Sequence, residues 1–178
     1  RFLFRFDINS TDIAALLAMS LFTFIFFIKI EKYGGFDAWA QWSLHAKFLL
    51  DTDSVNNLFT PELYWSNPDH PKMLPSIIAG SWTISNSQSS LIPILFAYFI
   101  AVLIIIIPYI SLRLRSLTSA NFILILFTCT SILFPFVINQ YADTLLALTL
   151  LLCYIVYKDK NVIFSNHHML IVGFLAAS

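Results

Sequence analysis

Leu91-Ile92-Pro93-Ile94-Leu95-Phe96-Ala97-Tyr98-Phe99-Ile100-Ala101-Val102-Leu103-Ile104-Ile105-Ile106-Ile107-Pro108-Tyr109-Ile110-Ser111-Leu112 runs without one charged side chain. About 20 mostly apolar residues suffice for a helix to cross the hydrocarbon core of a bilayer, and this run supplies them. Pro93 and Pro108 do not exclude a spanning helix, because neighbouring helices can satisfy the carbonyls they free. Upstream, residues 13–30 form a second candidate, interrupted only by Ser20, Thr23 and Lys29. Downstream, residues 121–138 are near the short limit. Residues 141–157 reach spanning length only if Tyr141-Ala142-Asp143 are included. A fifth run begins at Met169 and continues to the end of the sequence at Ser178. The expected fold is all-α: a polytopic transmembrane bundle, one domain over residues 1–178, with about four full spans and a truncated fifth.

Composition agrees. The chain is 58% hydrophobic and 11% charged, whereas soluble domains carry roughly a quarter charged residues. Too little polar surface remains to cover a water-soluble globule. The formal net charge is zero, which argues against nucleic acid as a partner, since that function needs a basic face. Cys129 and Cys153 lie in apolar runs without metal-ligand spacing. The start at Arg1 and the unfinished last run suggest a piece of a longer membrane protein, and no cleavable signal sequence is evident.

Orientation follows from Lys and Arg in the short connections. Arg113 and Arg115 join the second and third runs, and Lys158 and Lys160 follow the fourth. Alternating helices put both connections, with Arg1 and Arg5, on the cytoplasmic side. Residues 31–90 then form an extracytoplasmic loop, although Lys29 and Lys32 at its start run against the rule.

That loop carries all four tryptophans, Trp39, Trp42, Trp65 and Trp82, the residue type expected at a membrane interface. Two interfacial helices are expected in it, at 36–50 and 76–84. In the first, Trp39, Trp42, Ala46, Leu49 and Leu50 share one stripe, while Asp37, Gln41 and His45 climb the other side at four-residue intervals. Between the helices, Pro68, Pro71 and Pro75 force an extended stretch, and Pro75 is suited to open the second helix as its first residue.

Several polar residues are candidates for chemistry. Asp37 follows a spanning run closely, and Gly34-Gly35 lets the chain turn back sharply there. An ordinary reading is an exposed carboxylate favourable to a helix N-terminus. Asp143, in the short turn Asn139-Gln140-Tyr141-Ala142-Asp143, is expected to cap the fourth span, yet it comes to the same membrane face as Asp37. An acidic group inside hydrocarbon costs roughly 2.5–3.5 kcal/mol, so both belong at the interface. Pro68-Asp69-His70-Pro71-Lys72 adds an imidazole and an ammonium, and Lys72 is suited to meet a lipid-borne phosphate. No Gly-rich phosphate loop and no H-E-x-x-H or G-x-S-x-G pattern is present. His167-His168 is given no metal role.

Phe36-Asp37-Ala38-Trp39-Ala40-Gln41-Trp42-Ser43-Leu44-His45-Ala46-Lys47 resembles a segment of integral-membrane glycosyltransferases of the C-type fold, the group that includes protein mannosyltransferases and aminoarabinose transferases. Pro68-Asp69-His70-Pro71-Lys72-Met73-Leu74-Pro75 is similar to a Pro-Asp-Tyr-Pro-x-x-x-Pro stretch of bacterial members. Tyr141-Ala142-Asp143 is similar to their Tyr-x-Asp at the outer start of a later span. The likeness departs at four places: Ala38 stands where a second acidic residue is common, His70 where Tyr is, and His45 where Lys or Arg is. Leu91-Ile92-Pro93 replaces an Arg-bearing stretch.

The resemblance implies transfer of a sugar from a polyprenyl-phosphate donor to a glycan, lipid or protein acceptor. The reaction is expected on the extracytoplasmic face of a bacterial inner membrane, with inversion. Asp37 is then the expected general base, because one base and a good leaving group need no second carboxylate. Asp143, Tyr141, Asp69, His70, Lys72, Lys47, Gln41 and His45 are the expected substrate-binding residues, with Lys47, Lys72 and His70 serving the donor phosphate. No cofactor is expected, and a divalent metal is not indicated. A transporter or flippase of lipid-linked intermediates is the first alternative; the second to fourth runs lack the mid-membrane charges such a pathway needs. A non-catalytic scaffold anchored by its aromatic loop is the second.

Overall fold

The computed structural model describes residues 10–51, 53–113, 115–129 and 133–158. The fifth run from Met169 and the flanking cations Arg1, Arg5 and Lys160 lie outside the described residues, as does His167-His168. Among the described residues the chain is all-helical, with no strand. The principal helices are α1 (Ser10–Lys29), α2 (Leu44–Leu50), α3 (Met73–Ser85), α4 (Leu91–Arg113), α5 (Leu117–Cys129), α6 (Phe134–Ile138) and α7 (Asp143–Lys158).

Two of these helices, α1 and α4, are long and apolar enough to cross a membrane. At 1.5 Å per residue the 23 residues of α4 span about 35 Å. Only 17% of the spanning window of α1 and 33% of that of α4 are buried in the protein. A helix at the centre of a soluble core is buried on most sides; these present apolar side chains outward. Ala15, Phe22 and Phe26 form the narrow buried stripe of α1, while Leu17, Leu21, Phe24 and Ile28 are exposed. Ile94, Ala97, Ile100, Ala101, Ile104 and Ile105 form the stripe of α4, and α5 and α7 pack along this helix.

Polar links tie α1 to α4 at two levels. The Thr23 hydroxyl donates to Met19 O at 2.8 Å, so it accepts from the Tyr98 hydroxyl, also 2.8 Å away. At the far end Arg113 Nη2 meets Asp12 at 2.7 Å and 2.8 Å. Thr23 pairing with Tyr98 and Asp12 with Arg113 makes the two helices antiparallel.

The third expected span falls on two helices, and the fourth, expected at 141–157, falls on α7. Residues 121–138 are not one helix: α5 ends at Cys129, and the five-residue α6 starts with Pro135 in its first turn. Proline has no N–H to donate to a preceding turn, which favours a new start there. Helix α7 holds 16 residues, about 24 Å. Among the described residues, neither α5 nor α7 reaches the length of a full span.

The expected interfacial loop is a folded cap over the start of α4. Trp42, Ala46, Leu74, Ile78, Ala79 and Trp82 pack together there, with Ile92 and Phe96 of α4 beneath them. The second helix, expected at 76–84, begins earlier, at Met73, so Pro75 is its third residue rather than its first. First-turn N–H groups have no intrahelical partner, and Pro75 therefore costs no bond. The expected extended stretch between the helices contains a tight turn, His70 N donating to Asn67 O at 3.0 Å. Two short 3-10 helices, Val55–Phe59 and Pro61–Ser66, precede it.

Candidate functional site

Asp37 stands at the start of a widened, π-helical stretch, Ala38–Ser43, that runs on into α2. The sequence pattern predicts one regular α-helix over 36–50, so the π segment is a correction. Such segments are unfavourable in isolation and concentrate at functional sites. The widening splits the predicted tryptophan stripe. Trp42 turns into the cap, while Trp39 is exposed and groups with Phe36 and Trp65, ring centroids 5.3–6.4 Å apart.

The opposite side is not open to water. The segment from Pro61 to Lys72 folds over it, leaving Gln41 only 6% exposed and His45 fully buried. Gln41 Nε2 donates to Asp37 Oδ1 over a long 3.4 Å, and its Oε1 lies 3.0 Å from His70 Nδ1. The His70 ring stacks on Trp42, centroids 5.8 Å apart at 24°. Four residues along, Lys72 Nζ meets His45 Nδ1 at 3.2 Å and also donates to Pro68 O. His45 Nε2 lies 3.2 Å from Ser66 Oγ, whose own proton goes to Leu63 O at 2.8 Å.

An ammonium only donates, so His45 Nδ1 accepts and His45 Nε2 carries the proton that goes to Ser66. The ring must be neutral for this. Burial, and then the nearby Lys72 ammonium, push the His45 pKa from 6.5 down to about 4. Burial also lowers the Lys72 pKa, against the attraction of Asp69.

The turn before Asp37 is fastened to the α6–α7 connection. Gly35 N donates to Asn139 O at 2.9 Å, and Gln140 Nε2 donates to Glu31 O at 2.7 Å. A Cβ on Gly35 would lie 2.7 Å from the Tyr141 ring. Gly34 has φ +71°, a left-handed conformation that glycine adopts without steric cost. The aromatic ring of Tyr141 thus lies against the backbone two residues before Asp37.

Other predicted residues sit differently. Asp143 is exposed in the first turn of α7 rather than its cap, and Asp69 and Lys47 are exposed. Among the described residues no hydrogen bond or ion pair joins Asp143 or Lys47 to the Asp37 cluster. His45, expected to contact substrate, reaches the site only through Lys72. Ser66 and Gln140 were not anticipated; each acts across a loop closure that leaves no local sequence signal. Among the described residues no three His, Cys, Asp or Glu side chains converge as metal ligands.

Two hollows lie among the helices, and neither is lined by Asp37, Gln41, His45, His70, Lys72 or Asp143. A narrow cleft between the π segment, α3, α4 and α7 has enclosed space of about 20 Å3, room for one water molecule. An apolar groove of about 420 Å3 lies between α3 and α4, lined by Ile77, Ile84, Leu95 and Phe99. Ile78 and Phe96 border both. The chain matches no protein-family model, no curated protein and no solved structure.

Proposed function

We propose that this chain is the sugar-transferring part of a membrane glycosyltransferase that takes its sugar from a polyprenyl phosphate. The observation that carries the reading is the assembly around Asp37. The carboxylate, the amide of Gln41, the imidazole of His70 and the ammonium of Lys72 come from two separate segments joined by hydrogen bonds. The ring of Tyr141 comes in from a third. The resemblance of residues 36–47 to membrane glycosyltransferases supports it further. The exposed apolar sides of α1 and α4 favour a bilayer around the helices, and α5 and α7 complete a four-helix crossing with local thinning of the bilayer. The basic connections favour the Asp37 side as extracytoplasmic, and the resemblance to bacterial members points to a bacterial inner membrane.

In this reading Asp37 accepts the proton of an acceptor hydroxyl as its oxygen bonds to the anomeric carbon. The bond from that carbon to the phosphate oxygen breaks, and polyprenyl phosphate leaves with the electron pair from the opposite face. Lys72 and His70 meet the phosphate, and the apolar groove between α3 and α4 takes the first isoprene units. The test is transfer from a labelled polyprenyl-phosphate sugar by the full-length protein and by Asp37→Asn. The enzyme reading expects turnover to fall at least 100-fold, within the usual contribution of a general base. Unchanged transfer, or none by the unmodified protein with any such donor, removes it.

A further inference from the structure

Gln41 is buried between two groups of opposite demand. On one side lies Asp37 Oδ1, on the other His70 Nδ1. A carboxylate can only accept, so it orients the amide with Nε2 toward Asp37 and Oε1 toward His70. An amide oxygen can only accept in turn, so His70 Nδ1 must carry a proton. The orientation of an amide and the tautomer of an imidazole are thus set by one carboxylate, acting through a side chain 6% exposed. Stacking on Trp42 fixes the ring plane. His70 itself is exposed, and its second nitrogen, Nε2, is the atom left to face a ligand.

We propose that Gln41 is a positioning residue that locks His70 with Nδ1–H inward, making Nε2 the atom through which the site takes up a proton when a phosphate ester binds. The inference rests on the reading of the site as one that handles a lipid-linked phosphate, and adds a coupling to it. The charged and titratable groups linked to His70 or next to it in the chain are Asp69 beside it, Lys72 two residues on, His45 behind Lys72, and Asp37 beyond Gln41. Lys72 has three N–H groups and spends two, on His45 and on Pro68 O. One ammonium N–H and one imidazole nitrogen are therefore presented from the same short turn.

A phosphodiester bears one negative charge and no proton to share near neutrality. Its oxygens can only accept, and a bare Nε2 lone pair repels them. Binding therefore draws one proton from solvent onto Nε2, giving an imidazolium that donates to the phosphate beside the Lys72 ammonium. When the sugar leaves and the phosphate becomes a monoester with a second charge, that N–H is already in place to meet it.

The experiment is nitrogen NMR of the full chain in lipid nanodiscs with labelled histidine. There are four histidines, and His70→Gln assigns the signal by its loss. His70 should show Nδ1–H and an unprotonated Nε2, while His45 in the same spectrum shows the opposite tautomer and reports that the fold is intact. Diethyl phosphate, a diester that titrates nowhere near neutrality, should convert His70 to imidazolium at constant pH. Asp37→Asn, which His70 does not touch, should mix the His70 tautomers with the His45 signal unmoved, and Gln41→Leu should do so more fully. Gln41→Glu, which still accepts, should keep Nδ1–H. An Nε2–H tautomer in the unmodified protein overturns the proposal, as does a His70 signal indifferent to both Asp37→Asn and Gln41→Leu. A fixed tautomer with no response to diethyl phosphate overturns the proton coupling. None of these outcomes depends on whether sugar is transferred, so failure here and failure of the glycosyltransferase reading are separable.

Discussion

Lys72 and His45 meet nitrogen to nitrogen, 3.2 Å apart, with the imidazole fully buried. Two protonated groups would not sit this way. The contact exists because His45 stays neutral in the fold, its pKa pushed from 6.5 down to about 4 by burial first and by Lys72 second. The unfolded chain binds this proton at the higher value, so between those two pH values it holds more protons than the folded chain, and stability rises with pH. The stabilisation is complete above about pH 6.5 and is lost as pH falls toward 4, on the order of 3 kcal/mol in all. Denaturation of the detergent-solubilised protein across this range measures it. His45→Asn keeps an acceptor near Lys72 without the titration and should flatten that dependence. An equally steep profile in the variant refutes the assignment.

The two glycines before Asp37 should respond differently to alanine. At Gly34 the added Cβ meets Asn139 O at 2.7 Å, which is backbone, and the residue must also hold φ +71°. The left-handed conformation alone costs about 1–2 kcal/mol for an L residue. At Gly35 the obstacle is the Tyr141 ring at 2.7 Å, which can turn aside, and overpacking of this kind costs about 1–3 kcal/mol. Thermal unfolding should rank Gly34→Ala below Gly35→Ala. Tyr141→Ala should relieve most of the second substitution and none of the first.

Much of this was legible in the residues themselves. Hydropathy and length place α1 and α4, because an apolar run of that size with charges only near its ends has few other uses. The same test overextends at 121–138, where the apolar count is right but Pro135 marks a fresh helix start. The four-residue ladder Asp37, Gln41, His45 marks the side of its helix that His70 and Lys72 meet. What it cannot give is the partner of each rung, since His70, Lys72 and Ser66 arrive through a loop closure encoded in no local pattern. Nor can it show that the ladder widens into a π segment, which tertiary packing imposes against intrinsic preference. Gly34-Gly35 reads as a turn, yet the space those residues keep open is for the α6–α7 connection, more than a hundred residues on.

Asp12 and Arg113 hold the other end of α1 and α4 together, at 15% and 26% side-chain exposure. Surface pairs are worth up to about 1 kcal/mol and breaking a buried one costs about 3–5 kcal/mol; this half-buried pair should fall between, near 2 kcal/mol for Asp12→Asn. Exchanging the charges, Asp12→Arg with Arg113→Asp, restores the attraction but sets each group against its helix dipole. Recovery should be partial. Full recovery means the dipoles are irrelevant there; no recovery means the pair is not the link that α1 and α4 depend on.

Lys72 separates binding from scaffolding. Lys72→Met removes the ammonium and leaves His45 Nδ1 buried without a donor, costing about 1–3 kcal/mol of stability. If Lys72 also meets the donor phosphate, the same variant should lower kcat/KM for a polyprenyl-phosphate sugar roughly 10- to 100-fold, the size of one lost charge-assisted hydrogen bond. His45→Asn provides the contrast: it weakens the network without removing the charge, so transfer at neutral pH should fall far less. Lys72→Arg keeps a donor to His45 and a charge toward the phosphate, though its planar head reaches different geometry, and should lie between the two. If His45→Asn lowers transfer as much as Lys72→Met, the ammonium serves only the scaffold, and the phosphate must be held by His70 alone.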